Sequence, residues 1–134
     1  MGSAMKVLVG YNESSEAVAA VELAAEYTKT FGGEVILMTS TEGGGRESVD
    51  DINEAQSRLN KAQADMEKNE IPCEVVQTAR GISPGEDIVR FAGENNVDLI
   101  VVGIEKKSRT RKLLLGSTAQ YVILQAPCPV LTVK

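Results

Sequence analysis

The chain has 134 residues, enough for one packed domain and too few for two. Its hydrophobic content of 43%, rich in Val, Ile, Leu and Ala, argues against disorder, and a net charge of −5 disfavours nonspecific association with nucleic acid or an anionic membrane surface. Histidine is absent, which removes Ser-His-Asp and Cys-His triads, imidazole acid–base chemistry and most zinc sites together.

Met1 to Ala4 reads as a cloning remnant ahead of a natural start at Met5, leaving 5–134 as a single domain. Apolar runs such as Leu99 to Val102 are too short to span a bilayer, and no charged-then-apolar signal opens the chain, so the expected location is the cytoplasm. Cys73 and Cys128 are then expected as thiols, and no metal site is expected from two cysteines without histidine.

Apolar runs alternate with helical patterns along the whole chain. Lys6 to Gly10 reads as a buried strand. From Ser15 to Phe31, Ala17, Val21, Ala24, Tyr27 and Phe31 recur at helical spacing, and Gly32-Gly33 ends that helix. Glu34 to Thr39 is a second strand, and Glu42 to Arg46 a glycine-rich loop. Ile52, Ala55, Leu59, Ala62 and Met66 then form a narrow apolar stripe on an otherwise polar helix, which Pro72 closes. Cys73 to Thr78 alternates enough to read as a strand near a sheet edge. Ser83-Pro84-Gly85-Glu86 opens a third helix, with Ser83 as cap, Pro84 at the first helical position and Glu86 completing a capping box. Ile88, Phe91 and Ala92 are its inward residues, and Asn95-Asn96 ends it. Asp98 to Gly103 is the most apolar strand. A fourth helix over Ser117 to Gln125 is expected to bury Ala119, Val122 and Ile123, before Pro127-Cys128-Pro129 and a last strand over Val130 to Val133. Strands alternating with helices imply a parallel sheet covered on both faces, with ligands beyond the carboxyl ends of the strands.

The most informative stretch joins the fourth strand to the fourth helix. Gly103 ends a buried strand; Gly116 opens a helix and is followed by Ser117 and Thr118. Free amides at a helix start attract a phosphate, glycine admits it to the backbone, and the hydroxyls add donors. The plainer alternative is a turn glycine followed by capping hydroxyls. Lys106, Lys107, Arg109, Arg111 and Lys112 lie between these glycines and would draw an anion in an otherwise acidic chain, unless they form only a solvated loop. The first strand ends in Gly10-Tyr11-Asn12. Asn12 can address a base or ribose, or cap the next helix, and Ser40 can wall a base pocket or be an ordinary loop serine. No G-x-x-x-x-G-K-[S/T] loop occurs, and no G-x-G-x-x-G follows the first strand.

Three stretches, K-V-L-V-G-Y-N-E-S-S-E-A, G-I-S-P-G-E-D-I-V-R-F-A-G-E-N-N-V-D-L-I-V-V-G and L-L-L-G-S-T-A-Q-Y-V-I-L-Q-A-P-C-P-V-L-T-V, together give the chain a pattern that resembles the universal stress protein family over essentially its full length. The resemblance implies a three-layer α/β/α fold of the adenine nucleotide alpha hydrolase-like type, with a five-stranded parallel sheet in the order 3-2-1-4-5. It implies homodimers paired through the last strand, Val130, Leu131, Thr132 and Val133. It also implies ATP or AMP as ligand, with or without magnesium, in a stress-response regulator. Family members that bind ATP carry G-x-x-G followed at a fixed distance by G-[S/T]. Gly103, Gly116 and Ser117 match; Lys106 stands at the middle glycine and Asn12 where an aspartate is usual. A side chain at 106 either crowds the phosphates or supplies a charge to them. By this resemblance the nucleotide site comprises Gly10, Tyr11, Asn12, Ser40, Val102, Gly103, Lys106, Arg109, Gly116, Ser117 and Thr118. No catalytic residue is assigned; Glu105 is the one acid of the loop, and activity would extend at most to weak ATP hydrolysis or autophosphorylation on Ser117 or Thr118. The alternative is a dimeric member that binds no nucleotide and serves as a protein interaction module.

Overall fold

A computed structural model of the chain describes residues 5–11, 15–43, 47–104 and 115–134. Among the described residues nine elements follow in strict alternation: β1 (Lys6–Gly10), α1 (Ser15–Phe31), β2 (Glu34–Thr41), α2 (Val49–Lys68), β3 (Cys73–Ala79), α3 (Pro84–Glu94), β4 (Leu99–Gly103), α4 (Ser117–Gln125) and β5 (Val130–Val133). The strands form one parallel sheet in the order β3-β2-β1-β4-β5. This is the order implied by the family resemblance. None of the helices among the described residues is long and apolar enough to cross a membrane.

Side chains alternate across the sheet and divide the core in two. Val7, Val9, Val35, Leu37, Leu99 and Val101 face α1 and α2, where Ala20, Ala24, Leu59 and Met66 meet them. Leu8, Ile36, Met38, Ile100 and Val102 face the opposite side, against Ile88, Ala92 and Val122 of α3 and α4. The central strands are buried on both faces, which is why they read as unbroken apolar runs. β3 and β5, at the two edges, are only partly covered.

Several local expectations need correction. The inward face of α1 is Ala17, Ala20, Ala24 and Thr28, rotated from the stripe that includes Tyr27 and Phe31, and Phe31 is 65% exposed. Small side chains let this helix lie close on the sheet, so the larger rings move to the rim, where Tyr27 and Phe31 form a tilted pair with ring centroids 4.7 Å apart. Thr28 is tolerated inside because its hydroxyl donates to Ala24 O at 2.7 Å. Ile52, in the first turn of α2 at the sheet's margin, is exposed, and so is Ile123, because the short α4 buries only the line of Ala119 and Val122. Ser83 caps α3 by accepting from Glu86 N, but no return bond from the Glu86 side chain occurs among the described residues. The reciprocal box forms instead at α2, between Ser48 and Asp51. β2 runs two residues further than expected, through Ser40 and Thr41, because Ser40 and Thr41 pair with Thr78 and Ala79 of β3.

Candidate functional site

Parallel winding brings the carboxyl ends of all strands, and the starts of all following helices, to one edge of the sheet. The order reverses between β1 and β4, since their neighbours β2 and β5 lie on opposite sides. A cleft of about 420 Å³ opens at that point. Its floor and walls bring together Gly10, Tyr11, Ser40, Val102, Gly103, Gly116, Ser117 and Thr118 from the sequence-based set, joined by Glu16, Ala17, Met38, Pro84, Ile88, Ile104 and Ala119. Asn12, Lys106 and Arg109 lie outside the described residues, as do Glu105 and the remaining cations of that loop.

Each wall has a local cause. Tyr11 is fixed where β1 leaves the sheet: its amide donates to Met38 O at 2.8 Å, and Thr39 Oγ1 donates to its carbonyl at 2.9 Å. Gly103 ends β4 directly beneath α1. A Cβ there would come within 2.6 Å of the Glu16 backbone, so this glycine is required by helix packing alone. Gly116 differs. A Cβ at that position meets nothing within 4 Å, and its φ of −63° suits any residue. Among the described residues, neither packing nor backbone conformation calls for a glycine at position 116.

Three helices begin at the cleft, and their starts are not equivalent. α1 carries Glu16 in its first turn; α3 carries Glu86 and Asp87 and is capped by Ser83. α4 has neither an acidic first turn nor a side-chain cap, and Gly116 is its N-cap residue. Its first internal donation is from Gln120 N to Gly116 O at 3.0 Å. The amides of Ser117, Thr118 and Ala119 precede that bond and have no intrahelical acceptor. The positive end of a helix and unpaired amides of this kind suit an anion, and at the cleft α4 is the helix start that offers both without an acid beside them among the described residues. Glu16 is the acid on the cleft wall among the described residues.

Below the opposite end of the cleft lies a group that sequence reading missed. Asp87 is 0% exposed. Its Oδ2 accepts from Ser40 Oγ at 2.5 Å and from Thr78 Oγ1 at 2.6 Å, and its Oδ1 accepts from Arg80 Nε at 2.6 Å. Arg80 continues to Glu94 at 2.8 Å. Burial alone would raise the Asp87 carboxyl, but the bonds from Ser40, Thr78 and Arg80, with the guanidinium charge, outweigh it and hold the carboxyl below its usual range. The readable signal was an acid next to Ile88 on the inward face of α3, together with two hydroxyls at matching positions of neighbouring strands, Ser40 and Thr78. The two thiols stand away from this cleft and are free. Burial, with Glu67 and Glu74 nearby, pushes Cys73 up to about 11, and burial with Asp98 raises Cys128.

The family model described as Universal stress protein family matches residues 4–134. A universal stress protein of Mycolicibacterium smegmatis is 30% identical over 129 residues, covering 96% of each chain. A solved universal stress protein of Archaeoglobus fulgidus superposes with a TM-score of 0.86 at 36% identity, covering 98% of this chain and 95% of that one. Another structure from Archaeoglobus fulgidus, of a universal stress protein in complex with dAMP, gives a TM-score of 0.80 at 34% identity over 100% of both chains.

Proposed function

The chain belongs to the universal stress protein family, and from that premise we propose that it is a cytoplasmic stress-response regulator that binds an adenine nucleotide, AMP or ATP, at the carboxyl ends of β1 and β4. The observation that carries this reading is the start of α4: a glycine that no contact among the described residues demands, followed by amides without intrahelical acceptors and two hydroxyls, all on the wall of one cleft. In this reading the phosphate lies on Gly116, Ser117 and Thr118, over Gly103. Lys106 and Arg109 contribute charge from the preceding loop. Base and ribose extend toward Tyr11, Asn12, Ser40 and Val102, along walls that include Met38 and Ile88. The dAMP complex of the Archaeoglobus fulgidus relative supports a ligand of this class. Magnesium, where it accompanies ATP, is carried on the phosphates.

Calorimetric titration with AMP, and with ATP in the presence and absence of magnesium, tests the reading. Micromolar binding of at least one nucleotide is expected; flat traces for all of them would overturn it. The second reading, a dimeric interaction module without nucleotide, is favoured by one observation. Leu124, Tyr121 and Ile123 of α4 are exposed apolar residues on the helix that precedes the uncovered edge of β5. A homodimer paired through Val130 to Val133 would satisfy the free backbone groups of that edge.

A further inference from the structure

We propose that Ser40 is a specificity-determining residue, held by Asp87 so that it offers the cleft lone pairs and no proton, and that it thereby selects a purine bearing an amino group at the ring's six position. The inference rests on the nucleotide reading above and deepens it.

An ionised carboxylate only accepts hydrogen bonds. Three donors already converge on the two oxygens of Asp87, one of them a guanidinium, and the residue has no solvent exposure. The Ser40 hydroxyl therefore spends its only proton on Oδ2. Its two lone pairs remain, and among the described residues no donor reaches them. Ser40 nevertheless lines the cleft. What it presents there is an acceptor of fixed polarity, on a rigid strand, backed by a buried charge.

Position decides which part of a ligand meets it. Ser40 lies one residue before the end of β2, and α4 follows β4; these strands flank β1 on opposite sides. Ser40 and the α4 amides thus stand at opposite ends of one opening. An acceptor-only wall repels a phosphate, which carries acceptors of its own, whereas the α4 end attracts it. A nucleotide seated by its phosphate on α4 extends its base toward Ser40, between the apolar Met38 and Ile88. The complementary group on that base is an N–H donor at the ring's six position, which adenine has and unsubstituted purine lacks.

Titration calorimetry with AMP and with purine riboside 5′-monophosphate reads this directly, because the two ligands differ only by the amino group. The unaltered protein is expected to bind AMP about tenfold more tightly, the scale of one lost hydrogen bond that leaves a partly buried acceptor unmet. In Ser40→Ala the two affinities should fall within about twofold of each other. Thr78→Val, which removes a donor to the same carboxylate oxygen from outside the cleft, should keep the tenfold ratio. Equal affinities in the unaltered protein, or a ratio unchanged by Ser40→Ala, would overturn the assignment while leaving nucleotide binding intact. Flat heats for both ligands would instead overturn the nucleotide reading, and this inference with it. The comparison in the unaltered protein decides the matter even where a variant does not fold.

Discussion

Replacing Asp87 by Asn keeps the side chain's shape and removes its charge from the interior. At neutral pH the loss is threefold: the Arg80 pair weakens, one acceptor oxygen becomes an NH2 group, and the hydroxyls of Ser40 and Thr78 must turn their protons elsewhere. Breaking a fully buried ion pair costs about 3–5 kcal/mol. Here the Arg80 side chain is 33% exposed and keeps Glu94 as a partner, so the lower end applies, about 3 kcal/mol. Against a typical domain stability of about 5–15 kcal/mol this is large, and it corresponds to a fall of about 10 °C in Tm. The pH dependence has a definite sign. The folded carboxyl is held below its ordinary value, so its contribution is complete above the unfolded carboxylate range and fades as pH falls through the folded value. Urea unfolding of both proteins, from about pH 7 down to about pH 3, should show a gap near 3 kcal/mol that narrows below about pH 4. A variant as stable as the parent at neutral pH, or a gap constant down the series, would refute the claim that Asp87 is charged and satisfied in the fold.

Other expectations follow from the same contacts. Gly103→Ala places a methyl within 2.6 Å of the Glu16 backbone and should cost about 1–3 kcal/mol in urea melts; an unchanged midpoint would mean that α1 does not press on β4. Gly116→Ala, whose new methyl meets no atom of the described residues within 4 Å, should leave stability within about 0.5 kcal/mol yet weaken AMP binding by calorimetry. A stable variant with unaltered affinity would move the phosphate off α4. Leu59→Ala, at a fully buried position of α2, should lower stability by about 2–5 kcal/mol. Val130→Asp puts a charge on the β5 edge and should convert dimers to monomers in sedimentation velocity; an unaltered profile would refute pairing through that strand.

Much of the architecture was legible because glycine and proline mark its joints. Gly10 and Gly103 close strands, Gly32 at φ +81° releases α1, and Pro127 and Pro129 bracket the passage from α4 to β5. The central strands announce themselves by their unbroken apolar composition. Alternation alone implies a parallel sheet; the strand order came from the family resemblance. The turn of α1 about its axis was hidden, because periodicity weights Tyr27 and Phe31 above alanine, while the sheet selects the residues that let the helix come close. The end of β2 was hidden too, since Ser40 and Thr41 look like a loop until Asp87 and Thr78 are seen to satisfy them. Asp87 is the clearest failure of pattern reading. An acid near a helix start reads as a dipole partner, and only the fold reveals that its three donors come from β2, from β3 and from Arg80 just beyond β3. The cleft residues were readable as strand ends and a helix start, but the reason for each glycine was not: Gly103 is demanded by α1, and Gly116 by no neighbour among the described residues.

The most direct measurement is the backbone amide NMR spectrum of labelled protein during titration with AMP. Saturable shifts should be largest for Gly116, Ser117, Thr118 and Ala119, with a second group at Tyr11 and Ser40. Shifts confined to another surface, such as the groove between α1 and α2 lined by Val18, Lys29 and Lys61, or no saturable shifts at all, would contradict an anion seat at the start of α4.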